Sequence, residues 1–415
     1  MKGREIKNFL ERNKKFSLLW ASQILSVTAT NVVSFTMATK IFTATGSTLA
    51  VSLLWIFYFL PAIFLGPFSG YFVDVWNKRK ILIFTNVSQA LIVLLFLLVK
   101  DYSYHPIYSI IFLYSLADEF YVPAESSSIP RLVRKEDLPI ANGLFMFTSQ
   151  MAMIIGFGVG GILIRIFGKN FPVFLCSLSL FLAAAACSFL PRDKSMAKKV
   201  RGFSRFWAEI KAGYSFIVNR RVILFPIVLI MFFNMFTVFL GVSLPSFATR
   251  ILGIAVEDSG PLLIVPLGMG ALAGTLLVAK YAKTIRKKVL MKRGFLLAFL
   301  ILLVLSLGLP YLKILKAPIA FFLMFFLGIA GFFIFVPNQT LLQENVPVFL
   351  RGRTFGTMGF VNTIFALPFL LFSGTIVDAV GVDIFMFLAS LIVLFALLFL
   401  DKAEELIIQE KNGNF

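Results

Sequence analysis

The sequence predicts an all-α integral membrane protein whose twelve transmembrane helices form two pseudo-symmetric six-helix bundles. Of its 415 residues, 59% are hydrophobic and 14% are charged, a composition that would leave a soluble domain covered with apolar surface. Long apolar runs recur along the chain, and short basic clusters separate them. An internal repeat at an offset of roughly 210 residues divides the chain into two halves.

Apolar runs long enough to cross a bilayer, which takes about 20 residues, occur six times in each half. In the first half, the predicted spans are Phe16–Phe42, Thr48–Val73, Ile81–Val99, Pro106–Ala124, Ile140–Ile166 and Phe171–Leu190. In the second half, they are Val222–Ile251, Ser259–Ala279, Val289–Leu309, Ala317–Leu341, Thr354–Val380 and Val382–Leu400. Because six is even, each half begins and ends on the same side of the membrane.

The basic residues alternate as this count of spans requires. Of the 39 Lys and Arg residues, 32 fall in or next to the termini, the even-numbered connections and the central stretch, and seven fall in or next to the odd-numbered connections. Because basic segments stay on the cytoplasmic side, we expect both termini in the cytoplasm and the chain in the cell (inner) membrane. This clustering also argues against nucleic-acid binding, which needs cations along one soluble face.

The spans predict five segments along the chain. They are a cytoplasmic N-terminus (1–15), an N-terminal bundle (16–190), a basic linker (191–221), a C-terminal bundle (222–401) and a cytoplasmic tail (402–415). In the linker, aromatic and aliphatic residues recur at helical spacing among the cations. This pattern favours an amphipathic helix on the cytoplasmic leaflet, and a flexible tether is the alternative.

The internal repeat pairs glycines of the two halves. Gly66 and Gly160 in the first half correspond to Gly270 and Gly374 in the second. Two halves of like orientation, each six spans long, imply a parallel repeat about the membrane normal. That arrangement is typical of carriers that work by alternating access.

Residues 66–80, GPFSGYFVDVWNKRK, form the most informative stretch of the sequence. Gly66 and Gly70 lie four residues apart and give one helix face on which another helix can pack closely. Asp74 follows where the helix leaves the membrane, and three cations begin at Lys78. A basic loop alone would account for the cations but not for the glycines or the carboxylate.

At these residues the chain resembles the major facilitator superfamily, which carries Gly-x-x-x-Asp-x-x-x-Arg-Lys after its second helix. The resemblance implies that Asp74 faces the N-terminal end of the eleventh helix and latches the cytoplasmic side shut, as an anion at a helix N-terminus can. The implied conformational gate comprises Gly70, Asp74, Lys78, Arg79, Arg353 and Gly356. The second half has Ala282 in place of the carboxylate, so we expect one dominant latch.

Further stretches resemble the branch of this superfamily that includes macrolide-efflux and siderophore-export proteins. Among them are Leu19–Ser26, Thr45-Gly46-Ser47 and Ala141-Asn142-Gly143-Leu144. The resemblance implies a monomer that exports a hydrophobic or amphiphilic small molecule by alternating access, coupled to protons and without a cofactor. The predicted helix-packing glycines are Gly156, Gly160, Gly161 and Gly374.

Proton coupling requires an ionisable group inside the membrane, where such groups are costly and therefore functional by default. Asp118 and Glu119 lie within the fourth predicted span and are the candidates for this role. Adjacent residues on a helix point 100° apart, so at least one of them can face the interior. Pairing with a lysine, or a place near the aqueous end of the helix, is the structural alternative.

Polar side chains on the first and seventh spans are candidates for the substrate path, because unpaired polar groups are disfavoured in hydrocarbon. They are Gln23, Ser26, Thr30, Asn31, Asn234 and Thr237. Hydrogen bonds between helices would explain these polar side chains equally well. No catalytic residue and no metal site is predicted, since the chain has two cysteines and one histidine.

Three function classes remain after these observations. Export is favoured, but the fifth span lacks the Gly-Pro that exporters of the superfamily carry, so proton-coupled or facilitative uptake of a small solute is the nearest alternative. A non-transporting membrane receptor or scaffold is the second alternative. An enzyme is disfavoured, because no nucleophile, base or metal cluster is apparent at membrane depth, and no Walker-type loop is present to use ATP.

Overall fold

The computed structural model describes residues 3–99, 103–191, 211, 214–215, 217–218, 220–281, 284–347 and 350–411. Within these ranges every regular element is a helix and there is no strand, which confirms the all-α prediction. The helix predicted in the linker falls almost entirely outside the described residues, so it stays a prediction.

Seven helices make up the described part of the first half. They are α1 (Gly3–Arg12), α2 (Lys14–Thr45), α3 (Thr48–Val75), α4 (Lys78–Leu94), α5 (His105–Leu132), α6 (Leu138–Phe167) and α7 (Asn170–Ser188). A 3-10 turn, Leu95–Leu98, extends α4, and another, Lys135–Asp137, precedes α6. Helix α4 begins after Asn77, whose side chain accepts a hydrogen bond from the Lys80 amide and so satisfies a donor of the first turn.

Beyond Arg220, the described part of the second half contains six α-helices. They are α8 (Arg221–Ser246), α9 (Val265–Tyr281), α10 (Lys287–Leu303), α11 (Lys316–Asn345), α12 (Arg351–Val380) and α13 (Val382–Lys411). The π-helical turns Phe247–Leu252, Gly260–Ile264 and Val304–Gly308 lengthen α8, α9 and α10, and 3-10 turns lie at Val256–Asp258 and Leu309–Tyr311. Such turns change the helical repeat only locally, so hydropathy does not predict them.

Eleven helical segments of the described chain are long and apolar enough to cross a membrane. The fourth predicted span, in α5, is not among them. With 28 residues, α5 is about 42 Å long at 1.5 Å per residue, which suffices to cross a bilayer. Its carboxyl residues Asp118, Glu119 and Glu125 reduce its mean hydropathy, so its assignment as the twelfth span stays a prediction.

The chain divides into two compact units. The first comprises Met1–Thr45 and Leu53–Gly202, and the second comprises Gly46–Ser52 and Phe203–Phe415. The first residues of α3 therefore group with the second unit. The exact boundaries of the two bundles, the linker and the tails stay predictions.

Helix α1, which the sequence did not predict, is amphipathic and packs on the first unit. Phe9 is buried, and the centroid of its ring lies 5.1 Å from that of Phe16 on α2. Arg12 donates from Nη2 to both carboxylate oxygens of Asp137 at 2.8 Å. The aromatic contact and the ion pair together anchor α1 beside the start of α6.

Glycines allow α6 to approach α2 closely. A Cβ added at Gly156 would lie 2.5 Å from the Cβ of Asn31, and one added at Gly160 would lie 3.2 Å from the Phe35 ring. Gly161 is buried on the same helix. Any side chain at Gly156 would push the two helices apart, so this contact depends on the missing Cβ.

Candidate functional site

Asp118 lies halfway along α5 and is bound by side chains from two other helices. Tyr58 on α3 donates its hydroxyl to Oδ2 at 3.1 Å, and Gln89 on α4 donates its amide to Oδ1 at 3.2 Å. No Lys or Arg among the described residues is paired with this carboxyl. Asp118 is therefore a hydrogen-bonded carboxyl without a fixed counter-ion, and both its ionised and its protonated form can use these partners.

Tyr58 is itself held in place by its surroundings. The hydroxyl of Ser115, one turn before Asp118, donates to the Tyr58 carbonyl at 2.5 Å and ties α5 to α3. The rings of Trp55 and Phe59 lie with their centroids 5.9 Å and 5.5 Å from that of Tyr58. Packing therefore fixes the position of the Tyr58 hydroxyl that donates to Asp118.

Glu119 has a different environment from its neighbour. It is partly buried, and a Cβ added at Gly66 would lie 3.9 Å from its Oε2. Among the described residues it has no hydrogen-bond partner. Of the two carboxyls that the sequence predicted for coupling, Asp118 is the one that accepts hydrogen bonds from side chains of other helices.

Two of the predicted path residues on α2 bind tyrosines of α5. Ser26 Oγ lies 2.8 Å from the hydroxyl of Tyr121, and Thr30 Oγ1 lies 2.6 Å from that of Tyr114. The tyrosines are seven residues apart and share one helix face. These contacts form a polar seam between α2 and α5, in keeping with the interhelical alternative for Ser26 and Thr30.

The other predicted path residues are bonded locally or to one neighbouring helix. Gln23 donates to a carbonyl of α6 at 3.3 Å, whereas Asn31 and Thr237 donate to carbonyls four residues earlier on their own helices at 2.8 Å and 2.9 Å. Asn234 is partly buried on α8. Their contact with a substrate stays a prediction.

Glu125 is a buried carboxyl that the sequence reasoning missed. It is 7% exposed, and its Oε1 accepts a hydrogen bond from Tyr121 at 2.8 Å. The predicted fourth span, Pro106–Ala124, ended one residue earlier. The structure continues α5 through Pro123 to Leu132. Glu125 follows Asp118 by seven residues, which places both on nearly the same helix face, and this spacing could have identified it.

The gate residues are described only in part. Lys78 and Arg79 line a cavity of about 210 Å³, together with Ser128, Arg131, Leu132, Leu190 and Pro191. Lys78 is buried and donates to the carbonyl of Val73 at 3.2 Å. The surroundings of Gly70, Asp74, Arg353 and Gly356 lie outside what the structure describes, so the latch stays a prediction.

A carboxylate of the second unit, also missed from the sequence, caps the start of α3. Asp378 on α12 accepts hydrogen bonds from the backbone amides of Thr48 at 2.8 Å and Leu49 at 2.9 Å, and from the hydroxyl of Ser47 at 2.6 Å. Arg250 approaches the same carboxylate at 3.4 Å. One turn earlier, Gly374 packs against the same segment. An anion at a helix N-terminus is stabilised by the free amides there.

The chain is similar in sequence to known membrane transporters. A sequence model described as the Major Facilitator Superfamily matches residues 19–367. The uncharacterized MFS-type transporter YfiS of Bacillus subtilis is 26% identical over 344 residues, which cover 81% of this chain and 80% of YfiS. Macrolide efflux protein A of Streptococcus pyogenes is 22% identical over 406 residues, covering 92% of this chain and 93% of that protein.

The fold is similar to that of a solved transporter. The crystal structure of a mutant of the nucleoside transporter NupG superimposes with a TM-score of 0.76, at 11% sequence identity, and covers 93% of this chain and 99% of that chain. At this identity the likeness concerns the fold alone.

Proposed function

This chain belongs to the major facilitator superfamily, whose members are secondary transporters that work by alternating access, and we propose that it exports a hydrophobic or amphiphilic small molecule. Protons moving into the cell drive the export, and Asp118 is the group that binds them. The protein lies in the cell (inner) membrane with both termini in the cytoplasm.

The environment of Asp118 is the observation that supports proton coupling. A carboxylate inside a membrane helix is costly unless it is paired or functional, and no cation of the described chain is paired with this one. Tyr58 and Gln89 each supply one donor, which is enough to stabilise the ionised form without fixing it permanently. Such a group can gain a proton on one side of the membrane and lose it on the other.

Two observations favour an apolar or amphiphilic substrate. Macrolide efflux protein A is similar to this chain over nearly the whole length of both proteins, and macrolides are bulky, largely apolar molecules. In addition, Ser26 and Thr30 on α2 are occupied by tyrosines of α5, so they are not available as a dense polar lining for a hydrophilic solute.

Transport into inside-out membrane vesicles tests the proposal. Vesicles containing the full chain are given a radiolabelled macrolide (erythromycin) or an amphiphilic fluorescent dye, with and without an acidic interior. We expect accumulation that depends on the pH gradient, and we expect the Asp118→Asn variant to lose this dependence. Glu136→Gln, at an exposed carboxyl of the turn before α6, is the control and should behave as the parent chain.

The outcomes separate export from its alternatives. If neither probe moves with or without the gradient, export of amphiphiles is wrong. If the probe moves outward from the vesicles as the interior is acidified, the direction is uptake. If D118N retains full pH dependence, another group carries the proton.

A further inference from the structure

We infer that Glu125 is a second proton-binding site, located between Asp118 and the cytoplasm, through which protons leave the first unit. The inference rests on the proposed function, because it requires that Asp118 carries the coupled proton. It starts from a carboxyl group that is 7% exposed within α5, where neither the apolar runs nor the family resemblance pointed to a site.

Glu125 ends a chain of hydroxyl groups that joins α5 to α2. Tyr121 donates to Oε1 of Glu125 at 2.8 Å, and the same Tyr121 hydroxyl lies 2.8 Å from Ser26 Oγ. Ser26 Oγ is also 3.4 Å from the carbonyl of Gln23. The order along the chain is therefore Glu125, Tyr121, Ser26 and the Gln23 carbonyl.

This chain satisfies both protonation states of Glu125. When the carboxyl is ionised, Tyr121 donates to it and Ser26 donates to Tyr121. When the carboxyl carries a proton, it donates to Tyr121, Tyr121 donates to Ser26, and Ser26 turns to the Gln23 carbonyl. Because each hydroxyl is both donor and acceptor, no group of the chain loses its partner in either state. Protonation thus requires rotation of two hydroxyl groups and no repacking.

The register of α5 places Glu125 on the cytoplasmic side of Asp118. The two carboxyls are seven residues apart, which is about 10.5 Å along the axis and nearly the same face. Tyr121 lies between them, about one turn from each. The basic residues that follow α5, Arg134 and Lys135, mark that end as cytoplasmic by the positive-inside rule.

The groups that face Glu125 do not hold it permanently ionised. On its own helix these are Tyr121 and, two turns earlier, Asp118. On α7 the thiol of Cys187 interacts electrostatically with Glu125, and this thiol donates to Ser22 of α2 at 3.1 Å. Within the described chain no Lys or Arg is paired with Glu125, so its charge can change with the proton it carries.

The proton balance of the step is simple. Protonated Asp118 releases its proton, the Glu125 carboxylate takes it up, and cytoplasmic water accepts it from Glu125. Both carboxyls are then ionised, and one proton has crossed from the middle of α5 to the cytoplasm. No other reactant is needed.

The variant Glu125→Gln in proteoliposomes of the full chain tests this role. The amide oxygen of Gln can still accept from Tyr121, but the side chain cannot carry a proton. We expect pH-driven macrolide transport to fall about tenfold or more, as loss of a positioned proton-transfer group does. The dependence of the rate on cytoplasmic pH should disappear. Exchange of labelled for unlabelled macrolide at equal pH should be unchanged, and Glu136→Gln serves as the control with the same chemical change.

Two further variants separate proton transfer from packing. Glu125→Asp retains a carboxyl and should recover part of the pH-driven rate, and Tyr121→Phe should slow it while keeping the aromatic ring. If Glu125→Gln is unstable in detergent, this pair still decides the question. Recovery by Asp would not occur if Glu125 only filled space.

The outcomes distinguish this inference from the proposed function. If Glu125→Gln retains the rate and pH profile of the parent chain while Asp118→Asn is uncoupled, Glu125 is not a proton site and the proposed function stands. If Glu125→Gln also loses equal-pH exchange, its role is structural and the inference is overturned. If the parent chain shows no pH-driven transport, the proposed function itself fails.

Discussion

At Asp118, the hydroxyl of Tyr58 and the amide of Gln89 reach different carboxylate oxygens. Loss of one donor therefore leaves the other in place, so the hydrogen bonding of the carboxylate should be weakened and not abolished. Glu119, one residue along, has no bonded partner among the described residues. Neighbouring carboxyls of one helix thus differ in what surrounds them, and this difference makes Asp118 the stronger candidate for proton coupling.

Replacing Tyr58 by Phe removes one of these donors and keeps the aromatic packing. We expect pH-driven transport to slow about tenfold, since a hydrogen bond to a charged group is worth roughly 1.5 kcal/mol or more. The measurement is the initial rate of macrolide accumulation in inside-out vesicles. Tyr311→Phe, at a tyrosine that is 82% exposed, is the matched control, and equal rates for the two variants would contradict the role of Tyr58.

Sequence reasoning predicted Asp118 because an ionisable residue inside an apolar run is conspicuous. It could not predict Tyr58 and Gln89 as partners, since they lie on other helices, 60 and 29 residues away along the chain. Glu125 was missed because it lies just beyond the apolar run that set the fourth predicted span, whereas α5 continues through Pro123 to Leu132.

At the scale of elements, close packing of α6 on α2 depends on Gly156. An added methyl group there would lie 2.5 Å from Asn31 Cβ and 3.2 Å from a backbone carbonyl of α2. We expect Gly156→Ala to lower the free energy of unfolding by about 1–3 kcal/mol, the usual effect of overpacking. Thermal unfolding of the purified chain in detergent measures it.

A second glycine of α6 provides the control for this prediction. Nothing lies within 4 Å of a Cβ added at Gly143, and Ala is the better helix former by about 1 kcal/mol. Gly143→Ala should therefore be neutral or stabilising. If both variants unfold at the same temperature, the contact between α6 and α2 is not tight at Gly156.

The cap on α3 gives another prediction at this scale. Asp378→Ala removes an acceptor for two backbone amides and a hydroxyl, so we expect a loss of about 0.5–2 kcal/mol of stability, as for other helix caps. Asp383→Ala, at a carboxyl at the start of α13, should change stability less. The same unfolding assay compares them, and a larger effect for Asp383 would argue against the cap.

Most helices could be predicted from the sequence, because a membrane span needs a long apolar run and few other segments have one. The second predicted span, Thr48–Val73, agrees with α3, Thr48–Val75, to within two residues. The α1 helix and the far end of α5 were not predicted, since both are polar. The contact of Asp378 with Ser47, 331 residues away, depends on packing that hydropathy does not contain.

The topology of the whole molecule depends on whether α5 crosses the membrane. Eleven segments qualify by length and apolarity, and an odd number would place the two termini on opposite sides. The positive-inside pattern instead requires twelve. Helix α5 carries Asp118 and Glu125, so whether it crosses the membrane decides the topology and bears on the proposed proton path.

Cysteine labelling at the two ends of α5 tests its crossing. Single cysteines at Ser103 and Lys135 are treated in intact cells with a membrane-impermeant thiol reagent. We expect labelling at Ser103→Cys from outside and labelling at Lys135→Cys only after permeabilisation. The native Cys176 and Cys187 are buried, and the parent chain controls for their reaction. Labelling of both sites from one side would show that α5 does not span.

Coupled proton movement directly tests whether this transporter exchanges an amphiphile for protons through Asp118. Proteoliposomes that contain the purified chain and a trapped pH-sensitive dye receive a macrolide gradient and no pH gradient. We predict proton movement opposite to the macrolide with the parent chain, and none above empty liposomes with Asp118→Asn. Macrolide movement without proton movement would show that transport is not proton-coupled, and full proton movement with D118N would show that Asp118 is not the coupling group.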